Sequence, residues 1–124
     1  MTQQERKQRS KEKILAAAMA EFGTKDFDAV TMDGICFAHG ISKGMMYHYV
    51  SGKDELFLQC VEHTFCRLAQ HVAREAQALA GKSDFEAVRQ YFMGRERFFQ
   101  LHAQEKNVFE NALLRPPKHL KEQI

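Results

Sequence analysis

Apolar residues recur along this chain at three- and four-residue steps, and nowhere do they alternate with polar ones over the length of a strand. Ile14, Ala18 and Phe22 are spaced by four, with Leu15 and Met19 beside them, which predicts a first helix over about 10–22 with one apolar stripe. Gly23 stops it in the role of a glycine cap. The stretch 24–30 reads as a loop whose Phe27 and Val30 tuck inward. Thr31 caps a short second helix reaching about Ala38, with Met32, Ile35 and Cys36 inward. Gly40 breaks it, Ser42 caps a third helix over 43–50, and Ser51-Gly52 makes a turn.

The longest pattern follows. Leu56, Cys60, Val61, Phe65, Leu68 and Val72 predict a fourth helix from Lys53 to near Leu79, ended by Gly81. Ser83-Asp84-Phe85-Glu86 has capping-box spacing and opens a fifth helix, with Phe85, Val88, Phe92 and Phe99 on one side and an end near His102. A shorter helix over about 105–114 comes next. Pro116-Pro117 are the first prolines in the chain, and a last helix over 118–124 starts on proline. The predicted fold is all-α. A three-helix unit over 1–52 is followed by a long connecting helix and further helices over 53–124.

Within the first unit, two short helices joined by a glycine-containing turn over 31–53 form a helix-turn-helix. Its second helix can stand proud of the surface and enter a DNA major groove. Helical spacing sorts that helix. Met46 and Val50, four apart, point into the bundle, and Gly44, Met45, His48 and Tyr49 fall mostly on the other side, with Lys43 and Tyr47 at the flank. Lys43 can donate to guanine or phosphate, Gly44 lets the backbone approach closely, and Met45 can pack on a thymine methyl. Tyr47, His48 and Tyr49 suit phosphates. Ser42 and the amides after it form a helix N-terminus that suits a phosphate oxygen. Lys53 opens the fourth helix, where its charge and the helix amides can clamp another.

The same residues resemble the TetR-type transcriptional regulators. The resemblance runs over about 14–58: Ile14-Leu15-Ala16-Ala17-Ala18, Phe22-Gly23, Thr31-Met32-Asp33, Ile35, Gly40-Ile41-Ser42-Lys43-Gly44, Tyr47-His48-Tyr49 and Lys53-Asp54-Glu55-Leu56. It implies that Lys43, Gly44 and Met45 meet base edges, and that Thr31, Tyr47, His48, Tyr49 and Lys53 mostly meet backbone phosphates. It also implies that 1–52 is the DNA-binding domain and 53–124 a ligand and dimerisation domain. The implied function is a repressor, a homodimer on a palindromic operator in double-stranded DNA, released by a small-molecule inducer. The sequence departs from the family at Gly34, Cys36, Phe37 and His39, which alter the second helix and leave the third intact. Chains of the family are longer than these 124 residues, so 53–124 reads as a shortened regulatory part. The alternative function is a shortened helical module that pairs with a full-length regulator and modulates it.

Charge sharpens the picture modestly. The net charge is +2, and residues 1–53 carry 8 basic against 6 acidic groups while the remainder balances at 10 and 10. Most of the excess lies before Ile14, which fits either a solvated tail or a basic arm on the DNA backbone or in a minor groove. No apolar h-region or membrane-length run is present, which points to the cytoplasm and to no membrane partner. Three cysteines in such a chain argue against a disulfide framework.

Cys60, His63 and Cys66 are three apart on the fourth helix, but three-residue steps drift around it and no fourth ligand is evident, so packed cysteines are expected rather than a metal site. The Phe-rich segment is expected to pack as core. Were it to form a cavity, Phe85, Tyr91, Phe92, Met93, Phe99 and His102 would line it. No nucleophile elbow, phosphate loop or carboxylate pair stands out, so neither an enzyme nor a cofactor is expected.

Overall fold

Helix α1 (Gln3–Phe22) begins about three turns before its apolar stripe does. In the computed structural model, which describes residues 1–124, Thr2 and Glu5 form a reciprocal capping box: Thr2 Oγ1 accepts from the Glu5 amide at 3.1 Å, and the Thr2 amide donates to Glu5 Oε2 at 3.4 Å. The basic N-terminus is therefore helical from its third residue. Five further α-helices follow: α2 (Met32–His39), α3 (Lys43–Tyr49), α4 (Lys53–Ala78), α5 (Asp84–Leu101) and α6 (Ala103–Leu113). Two 3-10 turns, Phe27–Ala29 and Lys118–Gln123, complete the regular structure. The fold is all-α, as the periodicity predicts. The last segment tightens into a 3-10 turn in place of an α-helix.

The inward face of α1 (Ile14, Ala17, Ala18, Met19, Phe22) is the centre of the molecule, and α2, α3, α4 and α6 all pack on it. Phe22, Phe27 and Phe57 meet with ring centroids 5.0–6.0 Å apart, joining α1, the loop after it and the start of α4. The same apolar cluster takes in Ile35, Met46 and Val50 from the helix-turn-helix, then Val108, Ala112 and Leu120 from the far end of the chain. One core thus runs across the junction at Gly52 and Lys53.

Gly23 follows α1 with φ −81°, an ordinary right-handed conformation, so it is not a left-handed cap. Its need is for space. A Cβ there would lie 2.5 Å from Gln104 Cβ and 2.7 Å from Gln104 Cα, and would also strike the Met19 carbonyl. α6 seats directly on the end of α1. Asn107 Nδ2 clamps the junction by donating to the carbonyls of Phe22 at 2.8 Å and Lys25 at 3.0 Å.

α5 corrects the predicted orientation. Its buried residues are Gly94, Phe98 and Phe99, whereas Phe85, Val88 and Phe92 are exposed, Phe85 by 77%. The helix is apolar on two sides, and α4 covers the side carrying Gly94 and Phe98. A hydrogen bond of 3.0 Å between His71 Nε2 and the Gly94 carbonyl fixes that contact, and Phe98 lies against the rings of His71 and His102. Phe99, its ring tilted against that of Phe109 with centroids 5.0 Å apart, anchors the other side. Arg67 of α4 reaches the buried Glu105 of α6 at 2.6 Å, tying the long helix to the shorter one. No helix is long and apolar enough to cross a membrane.

Candidate nucleic-acid interface

Three local devices set the reading head. Thr31 Oγ1 accepts from the Gly34 amide at 2.9 Å and starts α2. Gly40 ends it at φ 64°, a left-handed conformation that favours glycine and turns the chain sharply. Ser42 Oγ accepts from the Met45 amide at 3.0 Å and starts α3. On the far side of α3, Glu55 folds back so that the Ser51 amide and hydroxyl both donate to its Oε2, the latter at 2.6 Å. Those two bonds hold the Glu55 carboxyl below its ordinary pKa and fix the turn into α4.

Held this way, α3 is amphipathic. Met46 and Val50 are buried; Ser42, Lys43, Gly44, Tyr47 and His48 are exposed. Met45 and Tyr49, expected on the outward side, lie instead at the flanks, half-buried and packed against the core, while Lys43 and Tyr47, expected at the flank, take the outward side. His48 and Tyr49 meet edge to face at 4.8 Å, which holds both rings at the C-terminal end of the helix. Nothing fills the space around Gly44 within 4 Å, so its bare backbone is open to a partner. Thr31 is exposed at the start of α2, and Lys53 is half-buried at the start of α4.

Two features of this surface have no local signature in sequence. Lys43 Nζ pairs with Asp33 Oδ1 at 3.1 Å across the turn, and that carboxylate raises the lysine's pKa. Lys53 Nζ sits 4.1 Å above the centre of the Phe27 ring, which orients its ammonium beside the head. Both contacts join residues from different elements, so periodicity does not reveal them.

The remaining candidate residues are dispersed. On α5, Phe85, Tyr91, Phe92 and Met93 are exposed, Phe99 is buried against α6, and the ring of His102, just after the helix, lies tilted against Phe98 with centroids 4.5 Å apart. They enclose no common cavity. An apolar groove of about 440 Å³ lies instead among Leu58, Val61 and Phe65 of α4, Leu113 and Ile124. Of the cysteine–histidine trio, Cys60 is fully buried, its thiol pushed up to about 12 by burial, while Cys66 is exposed.

A capped two-helix turn with an amphipathic, outward-facing second helix defines the class: a helix-turn-helix protein. Comparison with known proteins narrows it. Residues 14–60 match the family described as bacterial regulatory proteins, tetR family. Over 55 residues, 44% of this chain, it is 33% identical to the biofilm operon icaADBC HTH-type negative transcriptional regulator IcaR of Staphylococcus epidermidis. Among solved structures it resembles a gamma-butyrolactone receptor, an ArpA-like protein, with TM-score 0.66 and 22% identity over 86% of this chain. At that identity the likeness is one of fold. The chain spans 30% of the length of the curated relative and 55% of the solved one.

Proposed function

We propose that this protein is a sequence-specific DNA-binding repressor that occludes its operator. The outward surface of α3 carries the reading: Lys43, Gly44, Tyr47 and His48 are exposed on a helix whose opposite side is locked into the core by Met46 and Val50. Lys43, Gly44 and Met45 read base edges; Thr31, Ser42, Tyr47, His48, Tyr49 and Lys53 hold phosphates. Two such heads in a homodimer read a palindromic site in double-stranded DNA with half-sites about one helical turn apart. Repression is the mode of the IcaR relative by its name. A small-molecule inducer acts through 53–124, where Arg67–Glu105 and the α5–α4 contact join the regulatory helices to the long helix that begins at the head.

A second reading has its own observation. The bare apolar side of α5, with Phe85, Val88 and Phe92, suits a helical protein partner, and favours a helical interaction module that pairs with a full-length regulator and modulates it. Mass in solution with and without palindromic duplexes selected from a random pool separates the two. A homodimer that retains one duplex family supports the repressor. A monomer that binds no duplex even at low salt sinks it and leaves the pairing module.

A further inference from the structure

The first three turns of α1 are a helix with nothing to pack against. From Met1 to Lys13 every residue is exposed except the half-buried Ser10, and the segment projects about 16 Å at the helical rise beyond the first core residue, Ile14. It forms because its cap is complete, not because it buries a face. This stretch holds Arg6, Lys7, Arg9, Lys11 and Lys13. Its two carboxylates are engaged elsewhere: Glu5 closes the capping box, and Glu12 accepts from Gln8 Nε2 at 3.2 Å.

No carboxylate comes within ion-pair distance of Arg6, Lys7, Arg9 or Lys11, in contrast to Lys25, paired with Glu21, and Lys43, paired with Asp33. Lys13 reaches only the Gly40 carbonyl, 3.4 Å away, in the turn of the helix-turn-helix. On the adjoining side, Gln8 and Lys11 share a groove of about 340 Å³ with Tyr49, the last residue of α3. Lys7, one turn before Lys11, continues that side outward.

Resting on the DNA-binding reading, we propose that this rigid basic extension is a second DNA-contacting element, which lies along the sugar-phosphate backbone flanking the site read by α3. Unpaired cations on a preformed helix neutralise phosphates without breaking internal ion pairs or ordering a flexible arm. The interaction is sequence-independent, so it adds affinity and register and leaves base choice to α3.

The test uses the full chain and a mixed-sequence duplex of about three helical turns, titrated by fluorescence anisotropy between about 50 and 200 mM salt. Replacing Arg6, Lys7, Arg9 and Lys11 together by glutamine, a good helix former, should lower the salt slope by about 0.9 for each phosphate that is no longer neutralised. Two such phosphates give a drop of about 1.8. The charge-keeping replacement of Lys7 and Lys11 by arginine should retain the slope. Replacing four exposed cations of the other half (Arg74, Lys82, Lys106 and Lys121) by glutamine should leave it unchanged. The proposal is overturned if the first variant keeps the parental slope with unaltered far-UV circular dichroism, or if the distant set lowers it equally. If the parent protein binds no duplex at low salt, the DNA reading itself fails and this inference with it.

Discussion

Lys43 and Lys53 are both cations at the helix-turn-helix, and their different surroundings suit them to different work under the proposed DNA-binding function. Lys43 is exposed at the first position of α3 and paired with Asp33; under the proposed function it exchanges that carboxylate for a nucleic-acid acceptor. Lys53 is held over the Phe27 ring at the start of α4, which under the proposed function suits it to backbone phosphates alone. Lys53→Ala should therefore weaken binding to all duplexes by a similar factor and lower the salt slope by about 0.9, whereas Lys43→Ala should also relax base preference. Equal effects of both substitutions on selected and random duplexes would falsify the division. Gly23 offers a test of packing. Backbone and side-chain atoms of Gln104 occupy the position of an added Cβ, so Gly23→Ala should cost ~2 kcal/mol in urea unfolding by forcing α6 off the end of α1. A loss within experimental error would show that the junction gives way freely.

At the scale of elements, legibility tracked whether a helix has one apolar side and a local cap. Both short helices of the head satisfy this, and Thr31, Gly40 and Ser42 mark their ends within a residue of the predicted positions. α1 fails at its start because an unpartnered extension shows no apolar period, although Thr2 and Glu5 carry the capping spacing. α5 fails in another way. It is apolar on two sides, and only the placement of α4 decides that Gly94 and Phe98 go inward while Phe85 faces water.

The predicted cap of α5 is half present. Ser83 Oγ accepts from the Glu86 amide at 3.2 Å, but the Glu86 carboxylate turns to Arg89 and, less strongly, Gln90, which lower its pKa to about 2. A carboxyl lowered by folding stabilises the folded chain above its unfolded pKa. The contribution of Glu86 is therefore present above the usual 4.5 and is lost as pH falls from there through about 2. Carbon-detected NMR titration should find that midpoint near 2, and Arg89→Ala should move it up toward the usual 4.5. An unmoved midpoint would assign the shift to something other than the guanidinium.

Across the whole molecule, the helix-turn-helix unit and the helices after it share one core, so no boundary of packing separates them at Gly52. The thiols report on this. Cys66 is exposed, while Cys36 and Cys60 are buried, Cys60 entirely, beneath residues from both ends of the chain. Under native conditions a thiol reagent should modify Cys66 alone. Cys60 should react only at the rate of global opening, slowed further by a pKa of about 12. Fast labelling of Cys60 would mean that α4 lifts from α1 independently. Asn107, which bonds the carbonyls of Phe22 and Lys25 from 85 and 82 residues away, bears on how the protein is made. A chain emerging from the ribosome exposes its head long before the side chain that clamps it. The nascent head must wait, unlatched, through the synthesis of α4 and α5, and its final rigidity arrives as a late, non-local step in folding.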